Sequence, residues 1–249
     1  MNESNGKKIA ICFFGLGFGV GYRERVARPF ESYENNKEKI IKNHDCDIFF
    51  HSWIDNKDTE KKLVKKIKPK KYIVQTPIKF DIDAKYHDKN LYPNYNETRI
   101  KDNFKLNGKS RHLELSQTHT REKSLELAFE NMKEENKEYD FIILLRNDLY
   151  FKNDISLKNL DKDKLYLMYN PKHNNYCDML FIGSPKSMKC FLNVREYIKK
   201  VYKEEKNHIV NNENTLYKFF KLNNLDLSRF IKYNEQVFLN RYKNRNVII

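Results

Sequence analysis

The stretch LLRNDLYF, residues 144–151, interrupts an apolar run with Arg146, Asn147 and Asp148 and then turns apolar again. A strand over Phe141–Leu145 has no polar face, so it belongs in the centre of a sheet. A carboxylate just past its end faces the crevice where open parallel sheets bind ligands, not the core. A few such oxygens, together with substrate phosphates and water, suit Mg²⁺ or Mn²⁺. Asp178, in CDMLFIGS, offers a second carboxylate at the start of another strand. A glycine-rich turn, GLGFGVGYRERV, follows the first apolar run and carries Gly15, Gly17, Arg23 and Arg25. Backbone N–H groups exposed by glycines, with arginines beside them, suit a diphosphate. His51 closes DIFFHSW with Ser52 and Trp53, and the run SQTHTRE sets Gln117, His119 and Arg121 near an expected helix start. Helix N-termini favour anions.

Two better-known phosphate loops fail on spacing. Val20 and Tyr22 occupy the third glycine positions that G-x-G-x-x-G requires, and Asn103 stands where a P-loop ending in Gly108-Lys109-Ser110 needs its first glycine. The four cysteines, Cys12, Cys46, Cys177 and Cys190, form no CxxC pair, which argues against a zinc site or a disulfide framework.

The elements that must position these residues alternate. Short apolar runs predict strands over 7–15, 46–53, 70–77, 141–145, 164–169 and 177–184. Helical spacing predicts helices over about 29–43, 116–135, from Ser184-Pro185 through Val201, and 213–222. Residues 81–111 show no sustained period and read as an irregular insertion of the kind that covers binding sites. No repeat or linker divides the chain, so residues 1–249 are expected to form one three-layer α/β domain with a mostly parallel sheet.

The net charge of +14 arises from lysines and arginines interleaved with acids along the whole chain. No nucleic-acid partner is expected from that pattern. A positive surface suits phosphate-bearing substrates and peripheral contact with anionic lipid. The densest basic stretch, residues 61–72, reads as a solvated helix face running into a strand. No stretch approaches the roughly 18 apolar residues of a membrane span, and MNESNGKK leads to no cleavage site, so a cytoplasmic location is expected.

The succession KIAICFFG, DIFFHSW, SQTHTR before a helix, YDFIILLRNDLYF and CDMLFIGSPKSM resembles the glycosyltransferases of GT-A type found in bacterial and viral polysaccharide or lipopolysaccharide gene sets. The resemblance implies a nucleotide-sugar donor and a glycan or lipid-linked acceptor. It implies that Arg146 and Asp148 match the family's D-x-D or R-x-D motif, which binds the donor diphosphate, usually through a metal held by the aspartate. Gly15, Gly17, Arg23 and Arg25 would line the nucleotide pocket, with Gln117 and Arg121 assisting. Asp178 is the expected catalytic base of an inverting reaction, with His51 as the substitute, and 81–111 would cover the acceptor. Arg146 in the first motif position leaves metal dependence open, because an arginine can itself neutralise phosphate. Two rival readings remain: a nucleic-acid-binding protein, and an inactive GT-A-like module that binds glycans.

Overall fold

The computed structural model describes residues 7–15, 30–54, 57–78, 97–170, 175–204, 212–232 and 237–239. Strand β1 (Lys8–Gly15) leads to helix α1 (Glu31–Lys39), a 3₁₀ turn and β2 (Asp45–Trp53). Helix α2 (Lys57–Ile67), β3 (Lys71–Gln75), the long helix α3 (Glu97–Glu135), β4 (Phe141–Arg146) and β5 (Leu149–Phe151) follow. The second half holds β6 (Lys164–Asn170), β7 (Asn175–Gly183), α4 (Pro185–Met188), α5 (Val194–Glu204), α6 (Asn212–Leu222), β8 (Asp226–Lys232) and β9 (Val237–Leu239).

Seven strands form one sheet in the order β3-β2-β1-β4-β7-β6-β8. β3, β2, β1 and β4 are parallel, β7 runs against both β4 and β6, and β8 is parallel to β6. β5 and β9 make a separate antiparallel pair. This is a mixed α/β domain with a mostly parallel central sheet, as the order of apolar runs predicts.

β1 is apolar from Ile9 to Phe14 because both its faces are covered there. Ile9, Ile11 and Phe13 pack with Tyr33 of α1 and with Leu63 and Ile67 of α2. Ala10, Cys12 and Phe14 point the other way, towards Leu125 and Ala128 of α3 and towards Ile198, Phe219 and Phe220 of the later helices. Residues 61–72 run from α2 into β3 as expected, and Leu63 and Ile67 supply the buried side of that helix.

Three expectations need correction. α3 begins at Glu97, so residues 97–111 are helical and not irregular. Glu, Lys, Arg and Leu favour helix without producing the apolar stripe that betrays one. Residues 81–96 lie outside the described part of the chain. The second correction follows from the first: Gln117, His119 and Arg121 sit in the interior of α3, so no helix N-terminus favours an anion there. Finally, the helix begun at Ser184 is broken into α4, a 3₁₀ segment over Lys189–Asn193 and α5. Its start is as read: Ser184 Oγ accepts from Ser187 N, and Pro185 occupies the first turn. Among the described residues no helix is long and apolar enough to cross a membrane.

Candidate functional site

The site is assembled where β1 and β4 end. Gly15, with φ of +114°, occupies a backbone region that side chains rarely adopt, and a Cβ there would lie 3.2 Å from Asn147 Oδ1. Glycine therefore permits both the turn and the close approach. Asn147 N donates to Phe14 O at 3.0 Å, Ser32 Oγ donates to Asn147 O at 2.7 Å, and Ser52 Oγ donates to Gly15 O at 3.2 Å. The turn after β4 is thus tied to β1 and α1. It presents Arg146 and Asp148 as a forked pair, with Nε donating to Oδ1 at 2.6 Å and Nη2 to Oδ2 at 3.4 Å.

Because β7 runs against β4, the beginning of β7 reaches the edge where β4 ends. Asp178 lies there, two residues before Leu180, the partner of Leu145. Gln117 Nε2 donates to Asp178 Oδ2 at 2.9 Å, and Arg121 Nη2 stands 3.5 Å from the same oxygen. Gln117 and Arg121 are one turn apart on α3, which puts both on the face that meets β7. Sequence order alone hides this meeting, because it joins a helix interior to an antiparallel strand.

Arg121 is the most unusual group in the site. It is 1% exposed, lies between the rings of Phe14 (5.4 Å) and Phe181 (5.6 Å), and none of its three guanidinium nitrogens makes a hydrogen bond among the described residues. Burial pushes its pKa down, Asp178, Glu114 and Glu122 oppose that shift, and Arg146 adds to it. Arginine nevertheless stays charged in proteins. The edge therefore holds a desolvated positive charge whose hydrogen-bonding capacity is unused, and such a group is costly unless something compensates it.

His51 takes a different place. It shares the face of Phe14 and Phe49, is fully buried, and has no hydrogen bond on either ring nitrogen. Trp53 and His119 pack against it, with ring centroids at 4.8 and 5.4 Å. Burial, then the charges of His119 and Lys123, press its pKa down to about 3, so the ring is neutral at ordinary pH. His119 is pushed down to about 4, first by burial and then by Arg195, Lys123 and Lys199. Arg195 Nη1 donates to His119 Nδ1 at 2.6 Å, and Arg195 N donates to Glu122 at 2.8 Å. Burial raises Glu122 to about 7. His51 and Asp178 are thus given separate sets of partners by the same helix.

The signal that sequence reading underused is the polar stretch of α3 itself. Glu114, Thr118, His119, Thr120, Arg121, Glu122 and Ser124 are all buried. A helix turn buried on every side is normally apolar. Asn147, Glu122 and Arg195 were not singled out as functional from sequence, although the first lies inside the opening motif. Gly17, Arg23 and Arg25 fall outside the described residues.

Among the described residues no group of three His, Cys, Asp or Glu side chains is arranged for a metal. Both oxygens of Asp148 are turned to the Arg146 guanidinium, which brings positive charge to this motif.

No protein-family model matches the sequence, and no curated protein is significantly similar to it. Among solved structures, the chain is similar to the glycosyltransferase GlyE of Streptococcus pneumoniae at 12% identity and a TM-score of 0.46, over 90% of this chain and 45% of that one. The chain therefore spans less than half the length of that protein. A protein described as a nucleotide-diphospho-sugar transferase of Desulfovibrio desulfuricans is similar at 9% identity and a TM-score of 0.46, over 91% and 80% of the two chains. A nucleoside-diphosphate-sugar pyrophosphorylase of Vibrio cholerae is similar at 12% identity and 0.45, over 94% and 95%. Likenesses of this strength carry no argument about activity, which has to rest on the site.

Proposed function

We propose that the protein transfers a sugar from a nucleotide-sugar donor to a hydroxyl of a glycan or lipid-linked acceptor, in polysaccharide or glycan biosynthesis. The observation that carries this reading is the pairing of charges at one sheet edge. Arg121 is buried with its donors unused, Arg146 stands beside the Gly15 turn, and Asp178 is held between Gln117 and Arg121.

In the proposed reaction the acceptor oxygen attacks the anomeric carbon as its proton passes to the Asp178 carboxylate. The bond from that carbon to the diphosphate oxygen breaks, and the nucleoside diphosphate leaves with both electrons. Arg146, oriented by Asp148, stabilises the charge gathering on the leaving group, and Arg121 adds positive potential from behind. Gly15 stands on the nucleotide side, and a donor-binding role for Gly17, Arg23 and Arg25, outside the described residues, is part of the same proposal. His51, neutral and fully buried, is better suited to hold the packing of α3 on β2 than to take the acceptor proton. A cytoplasmic enzyme at the surface of an anionic membrane belongs to the same proposal.

The test is nucleotide release. Incubated with a panel of nucleotide sugars and glycan acceptors, the protein releases nucleoside diphosphate from at least one donor. Asp178→Asn lowers the turnover rate by roughly 10²–10⁴-fold while the donor dissociation constant stays near that of the unchanged protein. Release with no donor, or an unchanged rate in the variant, contradicts the assignment.

A further inference from the structure

Helix α2 leads into β3, the outermost strand of the sheet. Leu63 and Ile67, one turn apart, form the side of α2 that is buried against the core. Helical geometry therefore turns Lys61, Lys62 and Lys65 outward. All three are exposed, as are Lys57, Lys66 and Lys68. Residues 57–71 hold eight lysines, no arginine and two acids, Asp58 and Glu60. Lysines such as Lys39, Lys123 and Lys162 are matched with acids at 2.5–3.0 Å. On α2, Lys66 is paired with Glu34 and Lys61 reaches Asp58 only at 4.0 Å. Lys57, Lys62, Lys65 and Lys68 have no ion pair among the described residues.

Apolar surface accompanies this charge. Of the four large apolar side chains exposed among the described residues, Tyr72 and Ile78 belong to this edge. Tyr72 stacks on Phe50 at 5.4 Å, and Phe50 belongs to the core that α2 covers, so the tyrosine stands on α2's side of the sheet. Ile54 N donates to Gln75 O at 2.9 Å, which sets the approach to α2 beside the end of β3 and the approach to Ile78. β1 to β4 are parallel, so the candidate site is assembled at that same end of the sheet.

We infer that the face formed by residues 57–68 with Tyr72 and Ile78 docks the protein on an anionic phospholipid bilayer. The inference rests on the reading above for the membrane alone, and names the surface that meets it. Each lysine held near anionic headgroups raises affinity about fivefold. Lysine stems lie along the interface while their ammonium groups stay in water, and a tyrosine places its ring in the apolar layer with its hydroxyl outward. Nucleic acid fits this face less well, since its recognition favours arginine and residues 57–71 have none. Docking by this edge brings the end of the sheet that carries Arg146 and Asp148 alongside the bilayer, within reach of a lipid-linked acceptor.

Co-sedimentation of the full chain with vesicles tests this, with no donor present. The chain is expected to sediment with vesicles of phosphatidylcholine and phosphatidylglycerol, to stay behind with phosphatidylcholine alone, and to be released by salt. The double variant Lys62→Gln/Lys65→Gln is expected to bind the anionic vesicles about thirtyfold more weakly. Ile78→Ser, which leaves charge untouched, is expected to weaken binding as well. Lys186→Gln/Lys189→Gln, an equal loss of exposed charge on another element, is expected to bind as the unchanged protein does. An unchanged melting temperature in each variant confirms the fold. No binding to anionic vesicles, equal binding to neutral ones, an equal loss in both lysine variants, or full binding by Ile78→Ser each overturns the inference. Tighter binding of a single-stranded RNA than of anionic vesicles, lost in Lys62→Gln/Lys65→Gln, assigns the face to nucleic acid and also overturns it. Nucleotide release assayed separately, without vesicles, keeps the two readings apart. If release fails while vesicles bind, transfer is refuted and the docking face stands. If release proceeds and vesicles do not bind, the face is refuted and transfer stands.

Discussion

The two faces of the sheet near the ends of β1 and β4 both bury polar side chains, and they treat them in opposite ways. On the α1 face, Ser32, Asn35 and Asn36 are buried and put to structural use. Asn35 Nδ2 donates to Phe151 O at 2.9 Å while Phe151 N donates to Asn35 Oδ1 at 2.6 Å, and Asn36 Nδ2 donates to Leu149 O at 3.4 Å. Only Asn36 Oδ1 lacks a partner among these groups. On the α3 face, three nitrogens of Arg121, two of His51 and the hydroxyl of Thr118 have none. Burial of a polar group does not mark a site. Unused hydrogen-bonding capacity on a buried charge, as at Arg121, is the rarer feature and calls for an explanation.

The sharpest way to break the contrast is at the site's edge. Arg146→Ala should weaken nucleotide-sugar binding by about 1.5–3 kcal/mol, the worth of a hydrogen bond to a charged group, or roughly 10–150-fold in the dissociation constant. Calorimetric titration measures it. An unchanged constant removes Arg146 from the donor site.

A second experiment compares the faces directly. Asn35→Ala strands the N–H and C=O of Phe151 and should cost about 1–3 kcal/mol of stability, read by urea unfolding. Arg121→Met removes the cation 3.5 Å from Asp178 and should lower donor affinity, whereas Asn35→Ala should leave donor affinity unchanged. If both variants bind donor equally, the two faces do not differ as described.

How much of this was legible beforehand depends on which physical signal each residue left. The strands around Ile9–Phe14 and Phe141–Leu145 announce themselves because burial on both faces forbids polar residues. Asp148 and Asp178 were found for a related reason, as charges at the ends of apolar runs. The Gln117–Asp178–Arg121 group was not legible as a group. Its members come from a helix whose true start carries no apolar stripe and from a strand whose direction only the sheet reveals. The fork between Arg146 and Asp148 was also hidden, since the two residues face each other only because the turn through Asn147 is pinned to β1. For His51, position at a strand end suggested chemistry, while its packing against Trp53 and His119 needed the third dimension.

The smallest expected effect is in the response to pH. His51 is held at about 3 and His119 at about 4, below the ordinary 6.5, so each favours the folded state above pH 6.5 and loses that contribution as pH falls. Glu122, raised from 4.5 to about 7, acts in the opposite sense, favouring the fold below pH 4.5 and losing that as pH rises. Between pH 6.5 and 4.5 Glu122 offsets one histidine, leaving a net loss of stability as pH falls. The melting temperature should therefore fall as pH drops below 6.5, and His51→Phe should flatten the fall. A variant as acid-sensitive as the unchanged protein would show that His51 is not the group responsible.

The central claim is that a nucleotide-sugar donor is held at the Gly15–Arg146–Asp178 edge by arginine and not by a protein-bound metal. Thermal unfolding of the chain with a series of nucleoside-diphosphate sugars, in Mn²⁺ and in EDTA, tests it most directly, since a ligand that binds only the folded state raises its melting temperature. The account predicts that at least one donor raises the melting temperature by the same amount in both conditions, and that the shift disappears in Arg146→Ala. No shift with any nucleotide sugar, or a shift that requires Mn²⁺ and survives loss of the arginine, would contradict it.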